Sequence, residues 1–316
     1  MAVYTQVSGE ELARLLRRFD VGEGVALKGI AEGIENSNFL LETTRSRYIL
    51  TLYEKRVSAR DLPFFLDLIE HLAAHGLPVP RALRDRGGER VQEVAGRPAC
   101  LIEFLPGLAV SEPTPAKARA AGEALGRLHR AGADFAAERS NGLGVPEWQP
   151  LLDRCGAGMD AIAPGLHERV SQALAAVEAA WPHHLPRAVI HADLFPDNVL
   201  MLGDRVTGLI DFYFACTDVR AYDLAVMHSA WTFDGSGERY DDGVGRALVE
   251  GYDRAFGLSS AERDGLSVLA RGACIRFLLT RAWDWLNTPV DALVTRKDPL
   301  AYLRRLQWYE QEDLFA

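Results

Sequence analysis

His191, Asp193, Asn198 and Asp211 punctuate an apolar stretch that reads Ala188-Val-Ile-His191-Ala-Asp193-Leu-Phe-Pro-Asp197-Asn198-Val-Leu-Met-Leu-Gly-Asp-Arg-Val-Thr-Gly-Leu-Ile-Asp211-Phe212. Val199–Leu202 and 206–210 have the composition to pair as a hairpin through Gly203-Asp-Arg205. Pairing residue 202 with 206 sets 198 opposite 210, so Asn198 and Asp211 emerge together at the open end. One oxygen from each makes a seat for magnesium, with water and phosphate oxygens completing the octahedron. Asp193 lies on the loop entering the hairpin. A carboxylate there can take the proton of a hydroxyl beside a metal-bound phosphate. Asp197 reads equally well as a cap of that loop.

The elements that must hold these residues fall into two parts. Ser8-Gly-Glu-Glu11 is a capping box opening an amphipathic helix through Phe19. Strand-like runs follow at 24–28, 39–43, 48–53, 91–94 and 100–105, with a helix from Ser58 or Asp61 to about His75, stopped by Gly76-Leu-Pro-Val-Pro80. Pro106-Gly107 marks a break. Thr114-Pro115 then opens a helix to about Arg130, and helical patterns cover 148–162, 166–181, 219–231, 240–256, 260–287 and 298–311, interrupted by β-like runs at 187–212. The reading is an α+β chain. Residues 1–105 form a small antiparallel β-rich lobe and 106–316 a larger, mainly helical one. Asp218 and Asp223 are placed to brace the loop by capping the helix from Ala221.

Composition narrows the function classes. The 316 residues carry a net charge of −9, of which −8 falls after Glu103, so a broad phosphate-backbone interface with nucleic acid is disfavoured. No apolar run approaches the length of a membrane span, and no basic segment followed by an apolar run opens the chain. The four cysteines, Cys100, Cys155, Cys216 and Cys274, lack CxxC spacing, which points to reduced thiols in a cytoplasmic protein. The histidines outside the loop show no ligand spacing.

His-x-Asp-x-x-x-x-Asn followed by Ile-Asp-Phe resembles the catalytic and metal loops of protein-kinase-like phosphotransferases. Its short form, without Arg before Asp193, is similar to the aminoglycoside and choline kinase branch. The resemblance implies a protein-kinase-like two-lobe fold. It makes Asp193 the catalytic base and His191 the residue that orders the loop, with Asn198 and Asp211 on Mg2+ and ATP as phosphoryl donor. In the small lobe, Gly29 and Gly33 flank a loop between strands where backbone amides can approach phosphates. Asn36, Ser37 and Asn38 add donors, and the backbone of Glu103-Phe-Leu105 would meet adenine.

Kinase-like proteins usually place Lys or Arg at the end of the third strand's apolar run, paired with a Glu in the next helix. Here Tyr48-Ile-Leu is followed by Thr51, and only four lysines occur in the whole chain. Arg47 and Lys55 share a strand face, and either could reach phosphate. The helix offers Phe64 and Phe65, with Asp67 and Glu70 further on.

Tyr48-Ile-Leu-Thr-Leu-Tyr-Glu-Lys55, Asp61-Leu-Pro-Phe-Phe65, Arg276-Phe-Leu-Leu-Thr-Arg281-Ala-Trp-Asp-Trp285 and Thr295-Arg-Lys-Asp-Pro299 resemble the bacterial homoserine kinases built on this fold, in which Thr at position 51 is the usual residue. The implied reaction is ATP plus L-homoserine to O-phospho-L-homoserine and ADP, on the way to threonine. Choline, methylthioribose, hydroxylysine or an aminoglycoside are the alternative acceptors, and a non-catalytic nucleotide sensor is the alternative class. An arginine fork suits the substrate carboxylate and an acid its ammonium. Arg281 and Asp284 are neighbours on one helix face and read equally as substrate contacts or an internal salt bridge. Tyr213 lines the pocket or fills core. The implied partner is a small molecule, with no nucleic acid or membrane; oligomeric state carries no signal.

Overall fold

The computed structural model describes residues 5–30, 36–54, 58, 60–288 and 296–312. It divides into two compact units, Met1–Pro106 and Gly107–Ala316.

In the first unit, helix α1 (Gly9–Leu16) starts at the Ser8–Glu11 capping box, in which each residue satisfies a free backbone amide of the other. Strands β1 (Gly24–Gly29), β2 (Asn36–Thr43) and β3 (Arg47–Tyr53), helix α2 (Leu62–Ala74), and strands β4 (Gln92–Val94) and β5 (Arg97–Glu103) follow. The sheet is antiparallel, in the order β1-β2-β3-β5-β4. Leu15, Phe19, Phe39, Leu41, Leu50, Leu52 and Leu101 form its core beneath α1. Strand β2 begins three residues earlier than apolar patterning suggests. Asn36, Ser37 and Asn38 pair with Tyr53, Leu52 and Thr51, so they are strand residues, not loop donors. Polar partners face two of them, Ser37 and Asn38. The Thr51 hydroxyl donates to Asn38 Oδ1 at 2.7 Å, and the Ser37 hydroxyl to Glu54 Oε1 at 2.7 Å.

The second unit contains β6 (Leu108–Ala109), α3 (Pro115–Ala131), α4 (Val145–Cys155), α5 (Leu166–Ala180), β7 (Arg187–Ile190), β8 (Val199–Leu202), β9 (Arg205–Leu209), β10 (Cys216–Val219), α6 (Arg220–Trp231), α7 (Asp242–Ala255), α8 (Ser260–Asn287) and α9 (Leu300–Gln311). Two small antiparallel sheets, β6-β8-β9 and β10-β7, interrupt the helices. Helix α6 is buried along all its residues after Arg220 and forms the spine of the unit. Helices α3 and α7 approach closely because glycines line their contact. A methyl group on Gly122 would collide with the Leu248 carbonyl, and one on Gly251 with the Arg119 carbonyl. The close approach brings His129 of α3 to Tyr252 of α7, with Nδ1 and the hydroxyl 2.8 Å apart.

Alanine is the better helix former by about 1 kcal/mol. Gly251→Ala nevertheless loses about 1–3 kcal/mol, because it overpacks this contact. Urea unfolding measures the change; equal or higher stability would contradict the packing argument.

Candidate active site

The hairpin β8–β9 closes through a two-residue turn, Gly203-Asp204, with Gly203 in the left-handed region at φ +60°. At its tip Leu202 pairs with Arg205 and Met201 with Val206, one residue off the 202–206 pairing that composition suggests. A bulge at Thr207 absorbs the difference, since Leu200 faces Gly208 and Val199 faces Leu209. The Ile210 amide therefore donates to the Asn198 carbonyl at 3.0 Å, and Asn198 and Asp211 leave the ladder side by side. Asp211 sits at φ +66°, which turns the chain away from the strand into a single 3₁₀ turn, Phe212–Phe214. Asn198 Nδ2 donates to the Asp193 carbonyl at 2.7 Å, so the amide has its oxygen, Oδ1, left to ligate a cation. An amide oxygen and a carboxylate at one hairpin end suit a hard, oxygen-liking cation such as Mg2+.

The loop before the hairpin is clamped by residues distant in sequence. Asp223, fully buried in α6, accepts the backbone amides of His191 (2.7 Å) and Ala192 (2.8 Å). The third hydrogen bond to Asp223 comes from His129 Nε2 at 3.0 Å. Arg276 of α8, only 2% exposed, donates from Nη1 to the Ala192 carbonyl. Ala192 has φ +64°, a conformation that an alanine keeps only when its surroundings impose it. Asp223 on its N–H and Arg276 on its carbonyl impose it. Trp231 Nε1 adds a bond to the Leu194 carbonyl at 2.9 Å. Next to this pinned peptide, the Asp193 side chain is 18% exposed, with Arg276 Nη2 4.0 Å from one carboxylate oxygen and Asn198 Nδ2 3.4 Å from the other.

His191 is fully buried. Its Nδ1 accepts the Asp193 amide at 3.2 Å, so Nε2 carries the proton and donates to the Ile210 carbonyl at 3.0 Å. The ring thus ties the loop to the strand that delivers Asp211. Burial holds its pKa below the ordinary imidazole value, against the pull of Asp223. Burial also opposes ionisation of Asp223, but the hydrogen bonds from His129 and from the His191 amide outweigh it and keep its pKa below the usual carboxylate value.

Asp223 braces the loop, but not by capping α6, and the bonds of Asp218 go elsewhere. Asp223 takes the loop amides, while Asp218 accepts from Asn141 Nδ2 and the Val219 amide, both at 2.7 Å. Tyr213 is half-buried in the turn after Asp211. Asp197 is exposed. Arg281 and Asp284 lie on α8, but Arg281 hydrogen-bonds the Asp298 carbonyl at 3.1 Å instead of forming an internal salt bridge with Asp284.

In the first unit, Gly33 and Lys55 lie outside the described residues. Thr51, Asn36 and Ser37 are buried in the sheet. Glu103 ends β5 in an ion pair with Arg81 at 2.6 Å, and Leu105 follows it. Arg47 stacks over Phe104 at 4.8 Å. The α2 carboxylates Asp67 and Glu70 pair with Arg90 and Arg84. Arg276, His129 and Trp231 build the site without any signal in the sequence that places them there.

The model of the phosphotransferase enzyme family matches residues 26–258. The chain belongs to that family. Among curated relatives, the homoserine kinase of Xanthobacter autotrophicus is 52% identical over 99% of this chain and 97% of its own length, and that of Acidiphilium cryptum is 53% identical over 98% and 97%. Among solved structures, an amicoumacin kinase in complex with AMP-PNP and Ca2+ superposes with a TM-score of 0.73 at 15% identity, covering 97% of this chain and 95% of the other. A choline kinase from Cryptosporidium parvum gives 0.66 at 14% identity, with 96% and 95% covered. The fold is therefore that of the protein-kinase-like phosphotransferases, an α+β chain whose family members act on hydroxyls. No helix among the described residues is long and apolar enough to cross a membrane.

Two expectations follow. Asp223→Asn keeps the fold but loosens the loop, and kcat falls roughly 10²-fold, the usual cost of misplacing a reacting group by about 1 Å; steady-state kinetics with unchanged kcat would contradict the clamp. The second concerns pH. His191 is held below its ordinary pKa, and burial pushes His228 down to about 3. As pH falls below about 6.5, the unfolded chain binds protons that the folded chain refuses, so stability drops by on the order of 1.4 kcal/mol per pH unit through His228, and further through His191. The depressed Asp223 adds a further loss only below its unfolded value of about 3.9. Urea titrations at pH 7 and pH 4.5 check this; equal stability at both would contradict it.

Proposed function

We propose that the chain transfers the γ-phosphoryl group of ATP to the side-chain hydroxyl of L-homoserine, giving O-phospho-L-homoserine and ADP in the cytoplasm. The observation that carries the chemistry is the Asp193 carboxylate, partly exposed on a loop pinned by Asp223 and Arg276, with Asn198 and Asp211 beside it. The acceptor follows from the homoserine kinase name of relatives about half identical over almost the whole chain.

Asp193 orients the homoserine hydroxyl and accepts its proton as the oxygen bonds to the γ-phosphorus and the bond from that phosphorus to the β–γ bridging oxygen breaks. Arg276 and Asn198 hold the Asp193 side chain in register for that step. Asn198 Oδ1 and the Asp211 carboxylate hold Mg2+, which when bound neutralises charge on the β- and γ-phosphates. His191 takes no part in proton transfer: it is neutral, buried and bonded at both nitrogens. ATP draws on the first unit, with Gly33 at the phosphates, the backbone of Glu103 and Leu105 at adenine, and Asn36, Ser37 and Thr51 shaping the adjoining strands. Tyr213, Arg281 and Asp284 are assigned to the acceptor side.

Coupled ADP release with Mg-ATP against L-homoserine, choline, hydroxylysine, methylthioribose and kanamycin tests the acceptor; turnover of choline or kanamycin without homoserine would overturn it. Asp193→Ala loses at least about 10²-fold in kcat while ATP binding persists. Normal turnover of that variant would remove Asp193 from the mechanism.

A further inference from the structure

Beside the Asp193 loop, α8 and α9 build an aromatic floor with a cationic edge. Phe195, two residues after Asp193, packs edge-on against Phe277 of α8 at 4.9 Å, and Phe277 packs on Tyr302 of α9 at 5.1 Å. Two guanidiniums contact the Tyr302 ring, each 4.5 Å from its centroid: Arg281 and Arg305. They differ in their partners. Arg305 is buried and donates to the carbonyls of Ser229 (2.9 Å) and Asp234 (3.0 Å). Arg281 is half-buried and, among the described residues, has one hydrogen bond, from Nη1 to the Asp298 carbonyl at 3.1 Å. Among the described residues it forms no ion pair. The nearby Asp298 carboxylate is already engaged by Arg304 Nη1 at 3.4 Å and the Leu300 amide at 2.8 Å.

A guanidinium has five N–H donors in a planar fork. A partly desolvated one without a carboxylate is costly to keep. Tyr302 and the Asp298 carbonyl fix the plane of Arg281 and, among the described residues, leave most of the fork open. Burial lowers its pKa, and the carboxylates of Asp298 and, less strongly, Asp193 are among the groups that oppose the shift. A second cation lies on the same floor: Lys297 Nζ is 5.9 Å from the centre of the Phe195 ring, on an exposed side chain.

We infer that Arg281, assisted by Lys297, is an anion subsite that seats the α-carboxylate of the amino-acid acceptor while its hydroxyl points to Asp193. The inference rests on the homoserine reading and adds what selects an amino acid over a simple amino alcohol. The apolar methylenes of the acceptor lie on Phe195 and Phe277, and the carboxylate takes the open fork in a bidentate pair.

The test compares L-homoserine with 3-amino-1-propanol, which keeps the hydroxyl and amine but lacks the carboxylate. Wild type should prefer homoserine by roughly 10²-fold or more in kcat/KM, as sites built around a polar substrate group do. In Arg281→Met that ratio should fall by at least about tenfold, mainly through KM for homoserine, and Arg281→Lys should recover part of it. Lys297→Met, at an exposed position, should lower the ratio by a smaller factor and decides the matter if Arg281→Met does not fold. An unchanged ratio in the folded variants would overturn the subsite. So would an equal loss of kcat on both acceptors, which would move Arg281 to the phosphates. A wild type that phosphorylates the amino alcohol but not homoserine would instead overturn the acceptor assignment, and the subsite with it.

Discussion

One buried carboxylate holds the site together. Asp223 accepts two consecutive backbone amides, those of His191 and Ala192, and Arg276 takes the carbonyl of Ala192 from the other side. A single peptide segment is thus gripped at N–H and C=O by opposite buried charges. Neither charge would be tolerated alone, because an unpaired ion in a protein interior costs several kcal/mol. Each is stabilised by the loop it holds. Asp223 is further supported by His129 and, through it, by Tyr252. The left-handed turn at Ala192 that results aims Asp193 out of the core, while its neighbours His191 and Leu194 remain wholly buried.

This grip explains why the larger unit is organised as it is. Helix α6 is buried along its length because it must carry Asp223 under the loop. Helices α3 and α7 meet through glycines, and this close approach lets Tyr252 reach His129, which bonds that carboxylate. Helix α8 supplies Arg276 and, five residues on, Arg281. Two of the three non-glycine residues with positive φ among the described residues, Ala192 and Asp211, stand at the two ends of the chemistry. Local strain is concentrated where side chains must be aimed.

How much of this could be read in the sequence follows from separation along the chain. The residues to which the chemistry is assigned lie within twenty-one positions of one another, so residue type with spacing is enough to propose them. The hairpin register was right at the open end and wrong at the tip, since a bulge at Thr207 leaves no mark in composition. Asn36, Ser37 and Asn38 look like loop residues; only the facing Thr51 and Glu54, 13 and 17 positions away, make them strand residues. The supports of the loop were the least legible. Asp223 lies 32 residues from His191, Arg276 84 from Ala192, and His129 94 from Asp223. A carboxylate that accepts backbone amides across such distances looks, in sequence, like any helix-capping acid.

The most direct test is a crystal structure of the ternary complex with a non-hydrolysable ATP analogue, Mg2+ and L-homoserine. The homoserine hydroxyl oxygen should lie within hydrogen-bond reach of an Asp193 carboxylate oxygen, roughly 2.6–3.2 Å, with the metal on Asn198 Oδ1 and Asp211. A hydroxyl turned away from Asp193, or a metal held by other side chains, would contradict this placement.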